Sequence, residues 1–256
     1  MYVEPMEFAG TPGLGIYLTS GWPNSRGFLE LSLELSECAD FIEIGLPSEN
    51  PLYDGPIIRG THVEVLKAGI SRAETLKLAG DVIRETGVPA VMLAYLSDFR
   101  DVAEPVKMAS AMGAVSALLP DLPFERFRQL DLYVEVSRRF GLKPSFLASP
   151  RFPHGVLRLY SRLNPLLVYV ALQPATGIKL ARGVESNVRL ARSLLGPRVY
   201  MVSGFAIRAP ETARRLVNAG ANAVVIGSEI VRRAREGGVS EAKRFVCEVK
   251  LGLGGG

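Results

Sequence analysis

The sequence predicts a single (β/α)8 (TIM) barrel, and three observations support that fold class. Short apolar or β-branched runs alternate along the chain with longer stretches whose apolar residues recur at helical spacing. The runs are nearly continuous in apolar residues, which is typical of parallel strands buried on both faces. Eight strand–helix units in 256 residues match the usual size of such a barrel. A doubly wound sheet of eight parallel strands is the structural alternative.

The eight predicted strands follow one another at regular intervals, and helical patterns such as those at 24–40, 71–86 and 210–221 separate them. No Pro/Ser-rich linker divides the chain, so residues 1–256 are predicted to form one domain. Residues 1–13 are predicted to form a short N-terminal cap, and 252–256 a flexible tail. The strands are predicted at 14–20, 41–46, 89–95, 115–120, 143–149, 165–172, 198–203 and 222–227.

Composition narrows the classes of function. Hydrophobic residues make up 48% of the chain and charged residues 22%, which supports a large core and excludes wholesale disorder. The net charge of +4 is spread along the chain, so it favours a small anionic substrate over nucleic acid, which would select a concentrated basic stripe. There is neither a signal-type N-terminus nor an apolar run approaching 18 residues. We therefore expect a cytoplasmic protein without membrane association.

The cysteines and histidines predict no metal site. Cys38 and Cys247 lie in helical patterns, with no spacing that indicates a metal site or a disulfide framework. His62 and His154 belong to no HxxH or HExxH pattern, so zinc is not expected.

Glycine-rich loops at the end of the chain predict a phosphate site. Gly177, Gly204 and the Gly227–Ser228 pair follow the sixth, seventh and eighth predicted strands. Backbone N–H groups at a helix start bind anions, and barrels often hold phosphate with the loops after strands 7 and 8. The alternative is that these glycines make tight turns and that Ser228 caps a helix.

Two carboxylates stand out near the second strand. In "FIEIGL", alternation places Phe41, Glu43 and Gly45 on the face directed into the barrel. Partial burial there would raise the pKa of Glu43 and suit it to proton transfer. Asp54 follows on a Pro-bounded loop that can fold over the barrel mouth. The alternatives are a buried salt bridge for Glu43 and an Asx-type turn before Gly55 for Asp54.

The segment "FIEIGLPSENPLYDGPIIRGTHVEVLKAGIS" resembles the signature of the tryptophan synthase α subunit. The likeness continues in order through "YLTSGWP", "PAVMLAYLSDF", "SALLPDLPFE", "YVALQPATGI", "MVSGFAI" and "AGANAVVIGSEIV", so it spans almost the whole chain. The resemblance implies a retro-aldol lyase that cleaves indole-3-glycerol phosphate to indole and glyceraldehyde 3-phosphate.

The resemblance also implies residue roles. Glu43 would be the acid–base residue, Asp54 would accept a hydrogen bond from the indole N–H, and Thr176 would close a loop over the site. The implied phosphate ligands are Gly177, Gly204, Ala206, Gly227 and Ser228, and the implied indole pocket is Tyr17, Leu93 and Tyr95.

The resemblance further implies how the subunit works with others. It would need no cofactor of its own, and it would join a β subunit that carries pyridoxal phosphate in an αββα complex. The loops at 48–50 and 173–175 and the alanine at 206 depart from the family pattern, so loop closure and partner contacts are expected to differ. Two other functions remain open: another phosphate-binding barrel isomerase, and an inactive regulatory subunit.

Overall fold

Eight short parallel strands form the centre of the molecule. The computed structural model describes residues 12–149, 152–171, 184–204 and 207–254. Each observed strand overlaps one of the predicted runs, because β-branched and aliphatic residues buried on both faces mark a central parallel strand. The strands are β1 (Gly13–Thr19), β2 (Phe41–Gly45), β3 (Ala90–Leu93), β4 (Ser116–Leu118), β5 (Phe146–Ala148), β6 (Val168–Ala171), β7 (Met201–Gly204) and β8 (Ala223–Ile226).

The sheet closes on itself. Its strand order is β4-β3-β2-β1-β8-β7-β6-β5, with every pairing parallel. A single parallel bridge between Leu118 and Ser145 joins the two remaining edges. The predicted (β/α)8 barrel is thereby confirmed, and the carboxyl ends of all eight strands meet at one mouth.

Helices surround the barrel, and local signals fix where several of them begin. The Asn24 side chain accepts from the backbone N–H of Gly27, and the Ser71 side chain accepts from that of Glu74. Proline opens two other helices, where its missing N–H costs no hydrogen bond. The helices are α1 (Ser25–Ser36), α2 (Pro56–Lys67), α3 (Arg72–Thr86), α4 (Ala103–Met112), α5 (Leu122–Glu125), α6 (Leu130–Arg139), α7 (His154–Arg162), α8 (Val184–Leu195), α9 (Pro210–Asn218) and α10 (Ser228–Gly254).

The C-terminal helix reaches the first residues of the segment that the sequence predicts as a tail. After a break at Gly238, where φ is 71°, α10 continues to Gly254. Leu253 is buried, and the Arg214 Nε donates to the Gly252 carbonyl at 3.0 Å. Residues 252–254 therefore pack against the barrel as part of α10. The tail predicted at 252–256 stays a prediction for the residues outside the described range. The predicted cap at 1–13 falls almost wholly outside the described residues and stays a prediction.

Barrel closure also joins the two cysteines. Cys38 lies just after α1, Cys247 lies in α10, and the two form a disulfide across 209 residues of sequence. The spacing of the two cysteines indicated no disulfide framework, and that interpretation was wrong, because the pairing of β1 with β8 brings the first and last helices together. Two lysines of α10 make ion pairs across the same seam, Lys243 with Glu34 and Glu37 and Lys250 with Asp40.

We predict that the disulfide stabilises the closed barrel substantially. A cross-link over so long a loop restricts the unfolded chain, so its removal should lower the free energy of unfolding by about 2–5 kcal/mol. Thermal or denaturant unfolding of the oxidised chain and of the Cys38→Ser/Cys247→Ser variant measures this difference. Dithiothreitol should destabilise the parent chain and leave the double variant unaffected; equal effects on both would contradict the prediction.

Candidate active site

A deep pocket opens at the carboxyl ends of the strands. It encloses about 630 Å3, including its open mouth. Its walls come from most of the barrel, so residues far apart in sequence meet there. The residues that line it are Tyr17, Glu43, Tyr53, Asp54, Ile58, Leu93, Tyr95, Leu118, Pro120, Leu147, Tyr169, Ile207, Val225, Gly227 and Ser228.

Glu43 lies on β2 and points into this pocket, as strand alternation predicts. It pairs in register with Tyr17 of β1 and with Val91 of β3. Its side chain is 2% exposed, forms no ion pair within the described residues, and has an Oε1 without a hydrogen-bond partner there. Burial, and then the charge of Asp54, raise the pKa of Glu43 to about 8. The group is therefore a carboxylic acid at neutral pH, able to donate a proton to a molecule in the pocket.

Asp54 lies in the loop between β2 and α2, and the fold turns it back towards the same pocket. Its Oδ2 accepts from the Tyr95 hydroxyl at 2.8 Å, and the residue is 7% exposed. Burial raises the pKa of Asp54 to about 7, while the Tyr95 hydrogen bond and the Arg59 charge oppose that rise. Asp54 is thus the more readily ionised of the two carboxyl groups.

The predicted indole-pocket residues all line the cavity. Tyr17 lies on β1, Leu93 ends β3 and Tyr95 follows it, and each of the three is at least nine-tenths buried. Leu118, Leu147 and Val225 extend the same apolar wall around the barrel. A flat aromatic ring system would contact apolar side chains here while its polar edge faced the two carboxyl groups.

Two glycines give the pocket tyrosines their space. A Cβ on Gly45 would lie 2.1 Å from the Tyr17 hydroxyl, and a Cβ on Gly204 would lie 1.7 Å from the Tyr169 hydroxyl. Both distances are far inside van der Waals contact. Gly204, predicted from sequence as a phosphate ligand, therefore has a steric function that the sequence did not reveal.

The N-terminus of α10 lies at the edge of the pocket, next to Tyr17 of β1. Gly227 and Ser228 line the cavity where α10 begins, and the Gly227 carbonyl accepts the Val231 N–H in the first helical turn. The first N–H groups of a helix have no intrahelical acceptor and favour a negative charge. Thr176, Gly177 and Ala206, also predicted from sequence, lie outside the described residues.

Sequence reasoning missed two residues of this region. Tyr169 of β6 lines the pocket, and burial followed by the charges of Glu43 and Asp54 raises its pKa well above the ordinary value. His62 of α2 is fully buried, with Nε2 3.6 Å from Asp54 Oδ2. A signal for His62 was available, because the helical period places it on the buried face directly after the Asp54 loop.

Other classes of site find no support in the described part of the chain. It holds no group of three or more His, Cys, Asp or Glu side chains arranged to bind a metal. None of its helices is both long enough and apolar enough to span a membrane.

A (β/α)8 barrel with a buried acid, a more acidic carboxylate and a helix N-terminus in one pocket at the carboxyl ends of its strands has the arrangement of a (β/α)8-barrel enzyme. The family model described as "Tryptophan synthase alpha chain" matches residues 9–251. The chain belongs to the tryptophan synthase alpha chain family. Membership carries lyase activity and a place in tryptophan biosynthesis, and it does not favour the isomerase or the inactive subunit.

Individual relatives agree with this membership. The tryptophan synthase alpha chain of Thermococcus kodakarensis is 31% identical over 241 residues, covering 91% of this chain and 94% of the relative. That of Saccharolobus solfataricus is 28% identical, covering 91% and 93%. A mutant alpha subunit from the hyperthermophile Pyrococcus furiosus superposes with a TM-score of 0.83 at 28% identity, covering 93% of this chain and 98% of that one. A structure of the a2b2 complex from the same organism superposes with a TM-score of 0.82.

We predict that Gly204→Ala disrupts the pocket. The added methyl group must displace the Tyr169 ring, and overpacking of this kind costs about 1–3 kcal/mol. Thermal unfolding should show the loss, together with weaker ligand binding. Gly60→Ala is the matched control, since its Cβ would meet no atom closer than 3.6 Å. Equal stability of the two variants would contradict the steric assignment.

Proposed function

We propose that this chain cleaves indole-3-glycerol phosphate to indole and glyceraldehyde 3-phosphate. The observation that carries the proposal is one pocket in which a buried Glu43, with no ion pair among the described residues, and the more acidic Asp54 face apolar walls, with a helix N-terminus at its edge. Such a reaction needs a proton for carbon, a base for oxygen and an anchor for phosphate away from the reacting bond.

Glu43 would serve as both acid and base. Its carboxylic acid protonates C3 of the indole ring, and the ring becomes a cationic indolenine. The resulting Glu43 carboxylate then takes the proton from the hydroxyl on the adjoining side-chain carbon. The carbon–carbon bond breaks as that oxygen becomes the aldehyde of glyceraldehyde 3-phosphate, and the bonding electrons restore the indole. Glu43 ends the cycle protonated, so no net proton is consumed.

Asp54 would stabilise the cation. As a carboxylate it accepts the indole N–H, so that negative charge faces the ring while the ring is positive. Tyr95 holds the carboxylate in place with its hydroxyl proton. Tyr17, Leu93 and Tyr95 would enclose the indole. Thr176 remains a proposed closing residue.

The phosphate would lie at the start of α10. Gly227 and Ser228 supply the backbone N–H groups, and Gly177, Gly204 and Ala206 are proposed to add contacts from neighbouring loops. Because these steps are proton transfers and hydrogen bonds, the proposed mechanism uses no cofactor or metal in this subunit.

We further propose a β-subunit partner, in an αββα complex. The Pyrococcus furiosus structures include the tryptophan synthase complex, and one of them describes the structural basis of mutual activation in the a2b2 complex. In this chain Leu52 and Phe124 are exposed at the barrel mouth, where a partner would dock. Pyridoxal phosphate is expected only in that partner. A cytoplasmic location is proposed as well.

Glu43→Gln tests the proposal most simply. The variant keeps the shape of the side chain but has no proton to transfer, so indole release should fall about 10²- to 10⁴-fold. Glu49→Gln, at an exposed position of the following loop, should change little. Substantial activity in Glu43→Gln with a normal melting temperature would assign Glu43 to structure instead.

The two raised pKa values predict a narrow pH optimum. Asp54 must be ionised, so kcat/KM should fall as the pH drops through about 7. Glu43 must be protonated, so kcat/KM should fall as the pH rises through about 8. The apparent pKa values of the two limbs belong to the coupled pair. In Asp54→Asn the upper limb should move to lower pH, because the charge that raises the pKa of Glu43 is gone; an unmoved limb counts against this coupling.

Phosphate binding can be tested without turnover. Inorganic phosphate or glycerol phosphate should raise the melting temperature by mass action and compete with substrate. Ser228→Asp places a negative charge at the helix start and should remove both effects. Unchanged phosphate stabilisation in that variant would place the anion elsewhere.

A further inference from the structure

His62 lies beside the proposed site without lining the pocket. It occupies the second turn of α2, on the buried face of that helix, and its side chain is fully buried. None of the proposed chemical steps uses it. A buried imidazole needs a hydrogen-bond partner at each nitrogen, and here both nitrogens have one.

The hydrogen bond to Nδ1 fixes where the imidazole proton is. The Ser48 backbone N–H donates to Nδ1 at 3.0 Å, so Nδ1 is the unprotonated nitrogen and Nε2 carries the hydrogen. Burial lowers the pKa of His62 to about 4, so the ring stays neutral at working pH. A protonated ring could not accept from Ser48, so the contact of His62 with Asp54 joins an N–H dipole to a carboxylate.

A chain of hydroxyl groups continues from Nε2 in one direction only. Thr61 Oγ1 donates to the Ile58 carbonyl at 2.7 Å, so it accepts from Thr19 Oγ1 at 2.6 Å. Thr19 has then used its proton and accepts from the Tyr17 hydroxyl at 3.3 Å. The Tyr17 oxygen in turn accepts from His62 Nε2, 3.2 Å away.

The direction of these hydrogen bonds also affects the surroundings of Asp54. The Tyr17 proton is directed towards Thr19, so Tyr17 does not compete for the Asp54 carboxylate. His62 Nε2, whose hydrogen is donated to Tyr17, lies 3.6 Å from Asp54 Oδ2, and the Tyr95 hydroxyl donates to that same oxygen. Asp54 therefore has stabilising dipoles on one side and keeps acceptor capacity for a ligand on the other.

We propose that His62 is a positioning residue for the lyase reaction, resting on the proposed function. Its Nδ1 anchors the loop that begins at Ser48, and its Nε2–H sets the direction of the hydroxyl chain and steadies the ionised Asp54. The substrate's indole N–H then meets a carboxylate that is already oriented and charged.

Two amide variants test the hydrogen bond at Nδ1 and the donor at Nε2 separately. In His62→Asn the amide oxygen replaces Nδ1, so the Ser48 bond survives and the donor to Tyr17 and Asp54 is lost. In His62→Gln the amide N–H replaces Nε2–H, so the donor survives and the Ser48 anchor is lost. The exposed His154→Gln is the control.

We expect different kinetic signatures from the two variants. Without its donor, His62→Asn should lower kcat/KM about tenfold and move the acid limb of the pH profile upward by about one pH unit. Tyr95, Arg59 and Glu43 also face Asp54 and are unchanged in all variants. His62→Gln should keep the acid limb in place and mainly raise KM. Parallel losses in both variants, with no shift of the pH profile, would reduce His62 to a packing residue and overturn the proposal.

Indole release by the parent chain distinguishes a failure of the proposed function from a failure of the proposal about His62. If the parent releases no indole, alone or with its β partner, the proposed function fails. The arrangement of His62 is then still measurable by NMR of the two ring systems, since the chain has only two histidines. The Nε2–H tautomer, unchanged down to about pH 5, would support the chain of hydrogen bonds. An Nδ1–H tautomer, or titration near the ordinary histidine pKa, would overturn it.

Discussion

The burial of two carboxyl groups in one apolar pocket is the constraint on which the site depends. Removing an unpaired carboxylate from water is so unfavourable that the group keeps its proton instead. Glu43 shows this effect most clearly, since it is 2% exposed and has no ion pair within the described residues. For Asp54, the Tyr95 hydrogen bond and the Arg59 charge oppose part of the rise in pKa that burial causes. Unequal hydrogen bonding and unequal nearby charge around two buried carboxyl groups thus produce one acid and one anion.

The fold supplies this inequality. Strand alternation directs Glu43 of β2 into the barrel interior, whereas Asp54 comes from a loop within reach of groups on α2 and of the Tyr95 hydroxyl just after β3. Glycines at 45 and 204 leave room for the Tyr17 and Tyr169 rings, which line the same pocket as Glu43. The disulfide and the ion pairs join α10 to the end of α1 and the residues that follow it. These cross-links hold the barrel closed beside the paired strands β1 and β8.

Local patterns were sufficient to predict the barrel, the inward direction of Glu43 and the loop that carries Asp54. These features follow from the period of a strand and from proline and glycine positions, which act over a few residues. The Cys38–Cys247 disulfide, the steric function of Gly204 and the bonds of His62 depend on which strands become neighbours and on how rings fill the interior. Given the barrel prediction, adjacency of the first and last helices was the available signal for the disulfide. The roles of Thr176, Gly177 and Ala206 stay predictions.

The central claim is that Glu43 and Asp54 act on opposite parts of one indole ring. A crystal structure of Glu43→Gln with indole-3-glycerol phosphate bound tests it most directly, because the variant should hold the substrate without cleaving it. The account predicts the residue 43 amide within hydrogen-bond reach of indole C3 or the adjoining hydroxyl, Asp54 accepting the ring N–H, and the phosphate at Gly227 and Ser228. A substrate bound with its ring away from Asp54, or its phosphate away from the start of α10, would contradict the account.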